Sequence, residues 1–330
     1  MNTVASLRDS LSGRAFPGMA RARADATERP ISYPLGSGQG EEFALSGGLR
    51  PLIRQLLDAR SLEAAQARFE AAGFVTGIAP RAYGPTHDGW DDTPGPLLDE
   101  ARGARRALFV GRDLRRIDDA IAADLAKTDE ADRELGRLLG YPRCCVEAFV
   151  ATPIPRRNTA LYAAAARNTA GRANARLNGL DLAVFHYISW SPCAFDCNLS
   201  AAYADAVAAR IGRWYPAFVR RIDQALSAHR LVLLDEVQIS VRGGFDGVRV
   251  MIDDAWPTAR DRHRDAGLDP DALETVATAL ALVRSATRGA VYPDGLVLDG
   301  SLVPGTSGAL LVPFGGLTAS GAAGDTRRPP

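Results

Sequence analysis

The sequence predicts an α+β protein, with a mostly helical central region that carries the cysteines and a mixed, β-rich C-terminal part. Three observations lead there. Apolar and polar faces alternate at helical spacing through SAAYADAVAARIGRWYPAFVRRIDQAL, residues 200–226. HRLVLLDEVQISV, 229–241, then has the β-rich composition of a strand. From VYPDGLVLDG to ALLVPFGG, Gly and Pro-Asp turns punctuate short apolar runs.

Taken in order, residues 1–46 are rich in Gly, Arg, Ser and Pro and read as a flexible N-terminal arm. The Gly-x-Gly-x-Gly run in GSGQGEE, 36–42, lacks a preceding strand and the full dinucleotide fingerprint, so it reads as a loop. Residues 47–228 read as a helical, cysteine-bearing domain with one short strand near 106–112. Leu52, Ile53, Leu56 and Leu57, then Leu62, Ala65, Phe69 and Ala72, suggest two helices interrupted near Asp58–Ser61. RAYGPTHDGWDDTPGP, 81–96, reads as a turn-rich loop, and RALFVGRD, 106–113, contains a buried strand. Helices are expected at about 114–127 and 130–139.

Residues 229–320 read as an α+β region. In it 229–241 is a strand, GGFDG (243–247) a turn, VRVMI (248–252) its hairpin partner, and 270–287 a helix. Residues 321–330 read as a disordered tail.

With 39 basic and 39 acidic residues, no net field favours nucleic acid or an anionic membrane. No apolar run reaches the roughly 18 residues of a membrane helix, and no signal-peptide core is apparent. A cytoplasmic location is expected. Lys127 is the one lysine, in the polar stretch AKTDEADRE, so a Walker A lysine is absent and Schiff-base chemistry has no good candidate.

The four cysteines carry the clearest signal. Cys144 and Cys145 are adjacent in GYPRCCVEAF, and Cys193 and Cys197 lie in WSPCAFDCN, 48 positions beyond. Free cysteines are often small buried hydrophobes. Here, however, Pro142 or Pro192 precedes each pair and helix-compatible sequence follows. Both pairs are therefore expected at helix N-termini, where the dipole and free N–H groups favour thiolates. A structural disulfide is not needed in a chain of this size, and the Cys-x-x-Cys redox spacing is absent.

A four-thiolate metal site follows. Cys193 and Cys197 fit a zinc knuckle and, at i and i+4, would share a helix face. Neighbouring side chains diverge by about 100° on a helix, so Cys144 and Cys145 suit the separate corners of an iron–sulfur cluster better than one ion. The cluster is the leading expectation, with redox or small-molecule enzymatic activity, a substrate or electron-transfer partner not identified, and an oxidoreductase role. A structural zinc in a scaffold or binding protein is the alternative. A metal-free thiol enzyme, in which one adjacent cysteine attacks and the other resolves, is a third.

His186 is a further candidate ligand beside the more ordinary reading of a core histidine. Arg143 and Glu147 flank the first pair and read mainly as surface ions. Tyr141, Phe149, Tyr187, Trp190 and Phe195 would shield a cluster or build core. His87 with Asp88, Asp91 and Asp92 could make a hard-metal or acid–base cluster, although a polar loop is the simpler reading. Asp253 and Asp254 read as a turn, and GTSGA, 305–309, is not a hydrolase elbow.

LLGYPRCCVEAF followed by SPCAFDCNLS resembles the domain-of-unknown-function 483 family of archaea and bacteria, whose signature is a Gly-Tyr-Pro-x-Cys-Cys-Val run ahead of a Pro-Cys-Ser-x-x-Cys run. The matching positions are Gly140, Tyr141, Pro142, Cys144, Cys145 and Phe149, then Pro192, Cys193, Cys197 and Ser200, with Asn178. The strand before the helices is also similar. The resemblance covers roughly residues 105–210, about a third of the chain. It implies no particular activity. The family has a histidine just before Pro-Cys; here Trp190 and Ser191 stand there, and His186 is the nearest imidazole.

Overall fold

The computed structural model describes residues 39–83, 105–152, 158–178, 185–233, 237–257 and 270–314. Within them the class is mixed α+β, with three antiparallel sheets and the cysteines between.

The first sheet explains a run that the sequence disguises. Strand β1 (Leu52–Asp58) and β2 (Val75–Tyr83) flank the central β3 (Arg105–Gly111), all antiparallel. Strand β3 is buried from Ala107 onward because helices cover both faces. Ala107 and Phe109 pack with Ile117 and Ala120 of α3 (Leu114–Ala126) and with Leu138 and Leu139 of α4 (Asp129–Leu139). Leu108 and Val110 pack the other way, on Phe69 of α2 (Ala59–Ala71) and Leu45 of α1 (Gln39–Ser46).

Residues 52–58 were expected to be helical. Leu52 and Ile53 point to opposite faces of the sheet, one into each of those clusters, and pairing with β3 overrides a spacing that fits either period. The expected interruption at Asp58–Ser61 is the strand–helix junction, where Asp58 caps α2 by accepting from the Ser61 N–H at 2.8 Å. The arm expected over 1–46 also ends early. Residues 39–46 form α1, whose Ala44 and Leu45 are fully or almost fully buried.

The run from α3 to α5 (Arg143–Ala151) is built by its caps. Asp113 caps α3, Lys127 closes it in the left-handed region at φ 53, and Thr128 caps α4. Gly140 ends α4 at φ +76, where a side chain would be strained, and the Tyr141 N–H returns to the Gly136 carbonyl at 2.9 Å. Pro142 then starts α5. Helices α4 and α5 touch at Gly136, where a Cβ would lie 2.5 Å from Val146 Cγ2.

Beyond α6 (Asn158–Asn168) and a short 3₁₀ turn, α7 (Asn198–Gly212) and α8 (Pro216–Leu226) bury Ala204, Val207, Ile211 and Phe218 in an aromatic core with Phe185 and Phe195. Val232, Val312 and Phe314 belong to that same core, so buried packing crosses the expected boundary at 228/229.

The C-terminal part has two four-stranded sheets. In one the order is β11 (Leu310–Val312), β4 (His229–Leu233), β5 (Val237–Arg242) and β7 (Asp254–Pro257). The other runs β10 (Ser301–Leu302), β9 (Gly295–Leu298), β8 (Arg288–Tyr292) and β6 (Val250–Met251). The expected single strand at 229–241 is thus two antiparallel strands. Its expected partner at 248–252 pairs instead with β8, through Val250 with Gly289. Helix α9 spans Pro270–Ser285, within the expected 270–287. The expected tail at 321–330 lies outside the described residues.

Candidate metal centre

The two cysteine pairs meet. The Sγ atoms of Cys144, Cys145, Cys193 and Cys197 all lie within 4.8 Å of one another. Cys144 Sγ stands 4.0 Å from Cys145 Sγ and 3.7 Å from Cys197 Sγ, and the Cys145–Cys197 separation is 3.9 Å. All four are free thiols; Cys144 is exposed, Cys145 buried, and the other two half-buried.

Helix direction explains how adjacent cysteines reach one point. Cys144 and Cys145 occupy the first turn of α5, behind Pro142 as N-cap. Every Cα–Cβ bond of a helix tilts toward its N-terminus. In a first turn, neighbouring side chains therefore lean past the helix end, and their divergence around the axis matters less.

The second pair is not on a helix face. Cys193 lies in a turn, and Cys197 is the N-cap of α7. The i, i+4 helical spacing is corrected to a turn held from outside. Its Phe195 N–H donates to Thr169 Oγ1 at 2.9 Å, and the Phe195 carbonyl accepts from the Asn174 N–H at 2.7 Å. Asn168 Nδ2 donates to the Cys193 carbonyl at 3.1 Å, and the Gly171 N–H donates to Asp196 Oδ2 at 2.6 Å. Phe195 is fully buried and anchors the turn to the core.

Ser200 in the first turn of α7 joins the pairs electrostatically. Its Oγ lies 3.2 Å from Cys145 Sγ and accepts from Trp190 Nε1 at 3.1 Å, which leaves the hydroxyl proton for the sulfur. The Cys193 N–H also points at Cys145 Sγ, 3.4 Å away. Burial pushes the Cys145 thiol up to about 12, against those two hydrogen bonds, and burial likewise pushes Cys193 up. For Cys197, burial also acts upward. The Ser200 N–H and hydroxyl and the neighbouring thiols outweigh it and hold this thiol down to about 7. Cys145 and Cys193 thus resist ionisation by themselves. A cation held by the four sulfurs would supply the missing charge and draw off the protons.

The support behind the site was not legible in the sequence. Arg50 is buried and sits 4.9 Å over the Tyr141 ring. It donates through Nε to the Leu139 carbonyl at 3.0 Å and through Nη1 to Ser189 Oγ at 2.7 Å, and it pairs with Glu41 of α1. Burial opposes its charge, and Glu41 with the nearby tyrosines restores it. Tyr141 packs on Trp190 at 4.9 Å, and Trp190 on Tyr203 at 4.8 Å. Arg50 therefore locks the end of α4, and with it the start of α5, to the segment before Cys193. Nothing local in Leu-Arg-Pro marks this role; only the long-range contacts do.

The remaining candidates lie apart. His186 is not in the four-sulfur group, and its carbonyl packs where a Cβ on Gly40 would stand 2.8 Å away. Glu147 pairs with Arg133 at 3.0 Å on the surface, and Arg143 is exposed. Lys127 pairs with Asp124, and Asp254 with Arg242. The Asp253 N–H donates to the Arg242 carbonyl at 2.9 Å next to the β5–β7 pairing, so Asp254 opens strand β7 where a turn was expected. His87, Asp88, Asp91 and Asp92 lie outside the described residues.

Comparison with family models, curated proteins and solved structures finds no match. Fold and site together define an α+β protein with a four-cysteine site that could bind a metal. Among the described residues no helix is long and apolar enough to cross a membrane.

Proposed function

We propose that the protein binds a single tetrahedral metal ion, zinc, through Cys144, Cys145, Cys193 and Cys197, and that the ion ties α5 to the turn before α7. The sulfur spacing carries this reading. With zinc–sulfur bonds of about 2.3 Å, the edge of a regular tetrahedron is about 3.8 Å. Three sulfur pairs, those among Cys144, Cys145 and Cys197, stand at 3.7, 3.9 and 4.0 Å and fall near that edge. An iron–sulfur cluster, the leading expectation from adjacency alone, interposes irons and sulfides. That adds the metal–metal spacing to the tetrahedron edge, more than four sulfurs within 4.8 Å allow. A closed four-thiolate site is typical of structural zinc, so the protein is read as a binding or scaffolding protein. One iron would fit the same tetrahedron and is the second reading; it would bring redox chemistry.

The resemblance to the domain-of-unknown-function 483 family supports this proposal in one respect: its matching cysteines are the converging ones. Free thiols and a net charge of zero fit a cytoplasmic protein without a nucleic-acid partner. Metal analysis tests the proposal. Protein purified without oxygen should be colourless, carry one zinc per chain, and show an X-ray absorption shell of four sulfurs near 2.3 Å. Brown protein with iron and acid-labile sulfide would sink it.

A further inference from the structure

Beside Cys193, residues of α5 and α6 line a half-open cleft of about 500 Å³, a size usual for small-molecule sites. Small side chains create it. Ala148 of α5 lines it together with Ala160 and Ala164 of α6, and the latter two are four apart, on one helix face. Buried Leu161, Ala165 and Pro192 line it as well, and Phe149 adds an aromatic wall. Thr152 adds little polarity, because its hydroxyl donates to the Ala148 carbonyl at 2.7 Å.

Polar groups gather at the end next to the cysteines. There the last turn of α6 brings Arg167 and Asn168 to the cavity, with Ser191 and Cys193 opposite. The Asn168 bond to the Cys193 carbonyl joins this end to the cysteine turn. Arg167 is the one ionisable side chain besides Cys193 among the described lining residues. A guanidinium presents a fork of donors that matches a carboxylate or sulfonate.

We propose that this cavity binds a small amphipathic anion, its apolar body between α5 and α6 and its acidic head at Arg167, against Cys193. The placement beside a metal rests on the four-cysteine reading; the cavity and its chemistry do not. Four thiolates on a divalent ion leave a net negative charge, which disfavours a second anion. Arg167 is the group that makes an acidic head acceptable, so its removal is diagnostic.

The full-length, metal-loaded protein is titrated with 8-anilinonaphthalene-1-sulfonate and with N-phenyl-1-naphthylamine, probes that share an apolar body but differ in the sulfonate. The sulfonate should bind one to one and about tenfold more tightly than the neutral probe. Arg167→Gln should erase that preference. Ala164→Phe, or Ala148→Leu should the first not fold, should weaken both probes by about tenfold or more while metal content stays unchanged. Non-saturable binding of the sulfonate, or binding that none of these substitutions alters, overturns the proposal. Metal content on the same samples separates the two readings. Saturable, Ala164-sensitive binding to protein without zinc would sink the zinc reading and leave the pocket standing; zinc-loaded protein that binds neither probe would do the reverse.

Discussion

Replacing Cys197 with serine sets two effects of opposite sign against each other. Cys197 is the N-cap of α7, in extended backbone at φ −62 and ψ 110, and its sulfur is only a weak acceptor for the Ser200 N–H. Serine is among the best N-caps and should add about 1 kcal/mol there. The same change removes one of the four sulfurs that could hold a metal. A bound ion would close a loop of 48 residues between Cys145 and Cys193. In the chain-entropy model, cross-linking a loop of that length contributes about 4 kcal/mol. The net expectation is a loss of about 3 kcal/mol if the ion is bound and a gain of about 1 kcal/mol if it is not. Unfolding entropy near 2.1 cal/mol/K per residue gives about 0.7 kcal/mol/K for a chain of 330 residues. The melting temperature should therefore fall by about 4 °C in the first case and rise by about 1–2 °C in the second. Differential scanning calorimetry with a mild chelator present, to strip three-coordinate metal, reads the sign directly. A strong chelator, able to strip all four thiolates, should lower the wild-type melting temperature as well and leave Cys197→Ser, already without metal, unmoved. A Cys197→Ser protein that melts higher than wild type would refute the reasoning, because no metal clip would then have been lost.

Two further outcomes follow from the packing. Gly136→Ala should destabilise by about 1–2 kcal/mol despite alanine's better helix propensity, because the stiff Val146 side chain stands 2.5 Å from the new Cβ. Urea denaturation of Gly136→Ala, Val146→Ala and the double variant should show strong non-additivity; additive losses would mean the helices do not meet there. His229 is buried, with Nε2 3.0 Å from the Gly243 carbonyl and, among the described residues, no partner on Nδ1. Burial lowers its pKa below the usual 6.5, the Gly243 bond opposes this, and Arg230 adds to it. The unfolded chain thus binds the proton more readily. Stability is fully present above about pH 6.5 and is lost as pH falls below it toward the lowered value. His229→Gln should flatten that part of the stability–pH curve, and an unchanged slope would count against the assignment.

Particular elements show why some features were legible in the sequence. Strand 105–111 and the helices at 114–126, 129–139 and 198–226 carry strong periodicity or β composition together with local caps such as Asp113, Thr128 and Gly140. Strand 52–58 did not, since its leucines satisfy both periods and only pairing with 105–111 decides between them. The single strand expected at 229–241 became two for a similar reason: β4 and β5 pair with each other through long-range register that composition cannot show. Likewise, no local pattern announces that Arg50, far from the cysteines in sequence, anchors the segment before them.

By itself the sequence determined the class of fold and the presence of four thiols in two proline-led pairs, because composition, periodicity and caps are local properties. Only the tertiary structure decided how far apart those sulfurs stand. That distance depends on the tilt of side chains at the start of α5, on a turn pinned by Thr169, Asn174 and Phe195, and on a buried arginine beneath both. Spacing along a chain says which groups could meet, whereas how closely the sulfurs approach, on which the proposed choice of ion turns, is set by packing between segments remote in sequence.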